Sequence, residues 1–219
     1  MVKLAVFDCD GTLVDSQANI VRCMADSFVR NGLAPPDDHA TRRIVGLSLV
    51  EAMQVLLPDA EEALHDALAA DYKDAFYKLR AEGRLDPEPL YAGVRDGLDA
   101  LRASGWLLGV ATGKSDRGLG FLLAHHGLAD HFVTLQTADR HPSKPHPAML
   151  LAAITQAGST PAETVIIGDT TFDMIMGRRA GVRAIGVDWG YHEAHELLAV
   201  GAEAVVETMP ELIARLETA

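Results

Sequence analysis

Two cysteines, Cys9 and Cys23, are all that the 219 residues contain. That excludes a disulfide framework. Cys9 also sits between two aspartates, so two reduced thiols are expected. No apolar run is long enough to span a bilayer. The opening stretch meets Asp8 too soon to serve as a signal peptide, and a soluble cytoplasmic protein is expected. Basic residues are scarce: 19 Lys and Arg stand against 31 Asp and Glu, for a net charge of -12. No Lys/Arg cluster offers a face to nucleic acid. Acidity does not exclude an anionic small ligand, because local charges and a bound metal govern a buried site. Repeats and low-complexity tracts are absent. What the chain has is apolar material, 48% hydrophobic against 23% charged. Those are globular values, and the length suits one large domain or one domain with a modest insertion.

Lys3 to Phe7 is a short continuous apolar run, which predicts a strand buried on both faces of a parallel sheet. It ends in Asp8-Cys9-Asp10-Gly11-Thr12, where Gly11 permits a sharp exit. From Asp15 to about Pro89 the texture is helical. Ile20, Met24, Phe28 and Asn31 follow helical spacing up to Gly32, Ser48 to Glu51 has capping-box spacing, and Glu61 to Arg80 is a long Ala-rich, charged helix. After Leu90, helix and strand alternate. Strands are predicted at Trp106 to Ala111, Phe132 to Leu135, Thr164 to Ile167, Arg183 to Val187 and Ala204 to Val206. Helices between them cover Val94 to Ala103, Ser115 to His126, His146 to Ala157 and about Phe172 to Gly181. Thr160 to Glu163 is a second capping-box match. This alternation predicts a doubly wound α/β fold with a parallel, Rossmann-like sheet. Residues 1–15 and 90–219 form its core, and a small α-helical cap spans 16–89.

In such sheets ligands bind beyond the carboxyl ends of the strands. The polar residues that follow strands are Asp8 and Asp10, Thr112, and Asp169 with Asp173. Asp8 and Asp10 alternate along an extended segment and can point the same way. Two unit charges about 4 Å apart repel by roughly 4 kcal/mol at an effective dielectric of 20, so this cluster needs a cation or a proton. Hard oxygen ligands without His or Cys favour magnesium over zinc. His141, His146, His192 and His195 lack metal-ligand spacing, and Trp189-Gly190-Tyr191 is a candidate for the rim of the site.

Four separated segments, in order, carry a resemblance to a family. They are Val6-Phe7-Asp8-Cys9-Asp10-Gly11-Thr12-Leu13-Val14-Asp15-Ser16, Gly109-Val110-Ala111-Thr112-Gly113-Lys114, Ser143-Lys144-Pro145 and Gly168-Asp169-Thr170-Thr171-Phe172-Asp173. Together they resemble the haloacid dehalogenase-like hydrolases, specifically the phosphatase branch similar to phosphoglycolate phosphatases. The resemblance implies that Asp8 attacks phosphorus and forms an aspartyl phosphate. It implies that Asp10 protonates the leaving oxygen and then activates water. Asp8, the backbone carbonyl of Asp10, and Asp169 would hold Mg2+. Thr112 and the Gly113 amide would bind the phosphoryl group, Lys144 would offset its charge, and Asp173 would anchor Lys144 or a metal-bound water. The family often has Asn where this chain has Gly113, which removes a side-chain contact and leaves the backbone amide. Residues 42–48 resemble the cap loop that meets the active site, with Arg43 and Gly46 as the substrate contacts.

The expected partner is a small phosphate ester, with no nucleic acid or membrane, acted on by a monomer or homodimer. Three alternatives differ in chemistry. A sugar phosphomutase carries basic residues beside the cap-loop glycine, where this chain has Val45 and Leu49. A dehalogenase has no need of the proton donor Asp10. A non-catalytic binding protein on the same fold is expected to lose Asp8, Lys144 or Asp169, and all three are present.

Overall fold

The computed structural model describes residues 2–217. Its centre is one parallel sheet of β1 (Leu4–Phe7), β2 (Leu107–Thr112), β3 (Thr134–Thr137), β4 (Thr164–Gly168), β5 (Arg183–Val187) and β6 (Ala204–Val206). The order across the sheet is β3-β2-β1-β4-β5-β6, with β1 pairing in parallel to both β2 and β4. The chain therefore reverses its direction of travel across the sheet at β1, and the crevice above β1 is where ligands enter such folds.

All four β1 residues are buried, as a strand covered on both faces requires. Their side chains alternate between two cores. Ala5 and Phe7 pack with α5 (Val94–Ala103), α6 (Asp116–His125) and α10 (Met209–Glu217). Leu4 and Val6 pack with α7 (Ala148–Ala157), α8 (Thr171–Ala180) and α9 (Ala194–Ala199).

Between β1 and α5 lie α1 (Gln17–Arg30), α2 (Asp38–Arg43), α3 (Leu49–Leu56) and α4 (Glu62–Ala81). They enclose a third core that includes Met24, Phe28, Ile44, Met53 and Leu68. The chain leaves and re-enters the sheet domain at one place. Asp15 N donates to Pro89 O at 2.9 Å and Tyr91 N to Leu13 O at 3.1 Å.

Differences from the sequence expectation are local. β3 starts two residues later than the apolar run suggests, because Phe132 enters the core as the extended residue after a 3-10 turn, before strand pairing begins. Ser48 precedes α3 without a side-chain cap bond, and Thr160 opens only a short 3-10 turn, Pro161–Glu163. Three helices escaped notice. α2 and α9 are six residues each, too short for a periodic signal, and α10 follows the last strand.

Candidate active site

β1, β2 and β4 are adjacent, and each hands its next residues to the same edge. Asp8 follows β1, Thr112 ends β2 and Asp169 follows β4. Asp8 N donates to Ile167 O at 2.9 Å, which continues the pairing one residue beyond β1. Asp8, Thr112, Lys144, Asp169 and Asp173 are all buried.

Lys144 is the hub. Its Nζ lies 2.8 Å from Asp8 Oδ1 and 2.7 Å from Asp173 Oδ1. Burial disfavours the ammonium, but the Asp173 and Asp8 carboxylates outweigh it and hold the Lys144 pKa above its ordinary value. Asp8 Oδ1 also accepts from Cys9 N at 2.6 Å. Asp8 Oδ2 is buried and has no hydrogen-bond partner. Burial pushes the Asp8 carboxyl up to about 7, against the lowering pull of Lys144. Asp169 is raised well above the carboxylate range by burial and by Asp8 and Asp173, although Thr12 Oγ1 (2.8 Å) and Tyr191 N (2.9 Å) both donate to it.

Asp173 has two duties. Its Oδ2 accepts from Thr170 N at 3.2 Å and Thr170 Oγ1 at 2.6 Å, closing a capping box on α8. That leaves Oδ1 for Lys144.

Ligand atoms of Asp8, Asp169 and Asp173 lie within 4.8 Å of one another. With all three carboxylates ionised, one ammonium would leave two negative charges, which a divalent cation would cancel. The all-oxygen donor set fits a hard cation. Asp173 is the least free of the three, since Lys144 and Thr170 already occupy its two oxygens.

Asp10 stands apart from this cluster. Its Oδ1 accepts a short hydrogen bond from the Ser16 hydroxyl and lies 2.8 Å from Lys114 Nζ. It faces a cavity of ≈ 220 Å³ between the sheet domain and helices α1 and α4, with Gly46, Gly113 and Lys114 in the same wall. Gly46 has φ +98, a backbone state that favours glycine. Gly113 is needed for a different reason. A Cβ there would meet the Leu47 carbonyl oxygen and sit 2.8 Å from that of Gly46. The space a side chain at this position would need is filled by the loop at residues 46–47.

Arg43 does not line the cavity. Its guanidinium grips Glu196 of α9 through Nη1 at 2.6 Å and Nη2 at 2.8 Å. Sequence reasoning gave no role to Lys114, Ser16, Thr12 or Ser143. Ser143 Oγ accepts from Ser48 N at 2.8 Å and ties the cap loop beside Lys144. Only Lys114 had a usable signal, a lysine two residues past the β2 end. Trp189 and Tyr191 do reach the site, the former by donating Nε1–H to Thr12 O at 3.1 Å.

The family model for haloacid dehalogenase-like hydrolases matches residues 5–187. The chain belongs to that family. It is 36% identical to the probable phosphatase IndB of Dickeya dadantii over 97% of this chain and 93% of that one. It is 33% identical to a phosphoglycolate phosphatase of Chromobacterium violaceum, covering 96% and 95%. A hydrolase from Pseudomonas syringae superposes with a TM-score of 0.86 at 23% identity, covering 99% and 98%, and so shares the fold of this hydrolase. A divalent metal is general in the family, and the acidic cluster is where this member has the ligands for one.

Proposed function

We propose that this hydrolase is a magnesium-dependent phosphate monoesterase that works through an aspartyl phosphate on Asp8, with the chemistry of its phosphoglycolate phosphatase relatives. The observation that carries this is Asp8 itself. One oxygen is fixed by Lys144 and the Cys9 amide, and the other is buried and free to form a bond.

Asp8 Oδ2 attacks phosphorus, and the P–O bond to the leaving group breaks. Asp10 gives its proton to the departing oxygen. Asp10 then takes a proton from water, whose oxygen attacks the aspartyl phosphate and releases inorganic phosphate. Thr112 and the Gly113 amide cradle the phosphoryl oxygens, and Lys144 offsets their charge. Asp8, Asp169 and the Asp10 carbonyl are the ligands for Mg2+, while Asp173 acts through Lys144. The bound ion supplies charge compensation for the cluster and the phosphoryl group. Residues 16–89 serve as the cap that excludes water.

Asp8→Asn tests the reading. Turnover of an aryl phosphate is expected to vanish while circular dichroism stays native, and chelation is expected to abolish wild-type turnover until magnesium is returned. Persistent activity in the variant rejects the nucleophile; chelator-resistant turnover rejects the metal.

A further inference from the structure

The cavity beside Asp10 is poorly suited to a leaving group as small and polar as glycolate. Its far wall comes from α1, the loop before α3, the start of α3, and α4, and the apolar part of that wall is Ile20, Met24, Leu47, Leu49, Tyr72 and Phe76. At ≈ 220 Å³ it exceeds the engineered apolar cavity of about 150 Å³ that takes up benzene. A glycolate body would leave much of this wall uncovered.

The aromatic part of the wall is braced from the sheet domain. Lys114 Nζ, which pairs with Asp10, lies 5.8 Å from the Phe76 ring centre. Arg117 of α6 lies 4.3 Å from that of Tyr77. Arg80 sits 5.3 Å from Phe76 and 4.8 Å from Phe121 of α6. Cations over ring faces are held there by the ring quadrupole. Three cations line the cavity: Lys114 is paired with Asp10, Arg80 lies over two rings, and Lys73 is exposed at the rim.

We infer that the preferred leaving group is an alcohol with an apolar, ring-sized body that lies against Phe76 and Tyr72. This rests on the monoesterase reading and adds the chemical class of the alcohol.

The test is a series of alkyl phosphates whose alcohols differ little in acidity: ethyl, butyl, hexyl and benzyl phosphate, with phosphoglycolate alongside. The rise in kcat/KM is expected to approach about fourfold per fully buried methylene, and benzyl phosphate is expected to exceed phosphoglycolate by at least about tenfold. Phe76→Ala should flatten the series, and Phe76→Leu should keep most of the slope. Tyr72→Ala is the second probe should Phe76→Ala not fold. A flat wild-type series, a preference for phosphoglycolate, or an unchanged slope in the alanine variants overturns the inference and leaves the monoesterase reading intact. Failure of the wild type to hydrolyse any ester overturns that reading as well.

Discussion

Arg43 and Glu196 meet in a two-pronged ion pair, with N–O distances of 2.6 and 2.8 Å, that ties the end of α2 to the start of α9. The pair does not stand alone. His192 Nε2 lies 3.3 Å from the Arg43 carbonyl, and Glu196 also closes the capping box of α9. These contacts fasten the helical segment to the sheet domain in addition to the covalent crossing at residues 15 and 89.

The clasp has a pH signature. Its hydrogen bonds to Arg43 lower the Glu196 carboxyl to about 2. A depressed carboxylate contributes stability in full above its unfolded pKa, near 4.3, and loses it as pH falls through the folded value. Glu196→Gln is therefore expected to melt below the wild type between pH 6 and 8, by an amount worth roughly 1 kcal/mol for a half-exposed pair. The two melting curves should converge as the pH approaches 2. A gap that persists at low pH removes the ion pair as its cause.

Lys144→Met is expected to be costly twice over. It leaves Asp8 and Asp173 buried without their shared cation, and breaking a buried pair costs about 3–5 kcal/mol. It also removes a group that offsets phosphoryl charge, for a loss of about 10²–10³ in kcat. Thermal melts and aryl phosphate kinetics measure the two losses separately. Near-native values for both would mean that Lys144 is a spectator.

Asp10→Asn should act on the leaving group rather than on the nucleophile. Hydrolysis of an alkyl phosphate should fall about 10²–10⁴-fold. Hydrolysis of a nitrophenyl phosphate should fall much less at the first chemical step, because that oxygen departs without a proton. Equal losses for both substrates in burst kinetics would assign Asp10 a purely structural part, such as holding Lys114 and Ser16.

The sheet was legible because its strands are buried on both faces and so appear as unbroken apolar runs, as Leu4–Phe7 does. The acidic site was legible because the edge of a parallel sheet gathers residues that follow strands, wherever they lie in the chain. Asp8, Thr112 and Asp169 needed nothing more. Lys144 needed the resemblance, since a lysine in a polar loop otherwise looks solvated. The resemblance named Arg43 as a substrate contact, and its ion-pair partner had no sequence signal. Glu196 lies 153 positions away, in a helix too short to be seen. Ser143 and the aromatic contact of Lys114 have no local signal, because their partners Ser48 and Phe76 are set by the docking of the helical segment.

Gly113 faces the carbonyls of Gly46 and Leu47 at a separation that leaves no room for a β-carbon. Two distant stretches of chain have thus become one unit of exchange. Any side chain at position 113 would push the loop at residues 46–47 off the end of β2, so neither stretch can change its shape without the other.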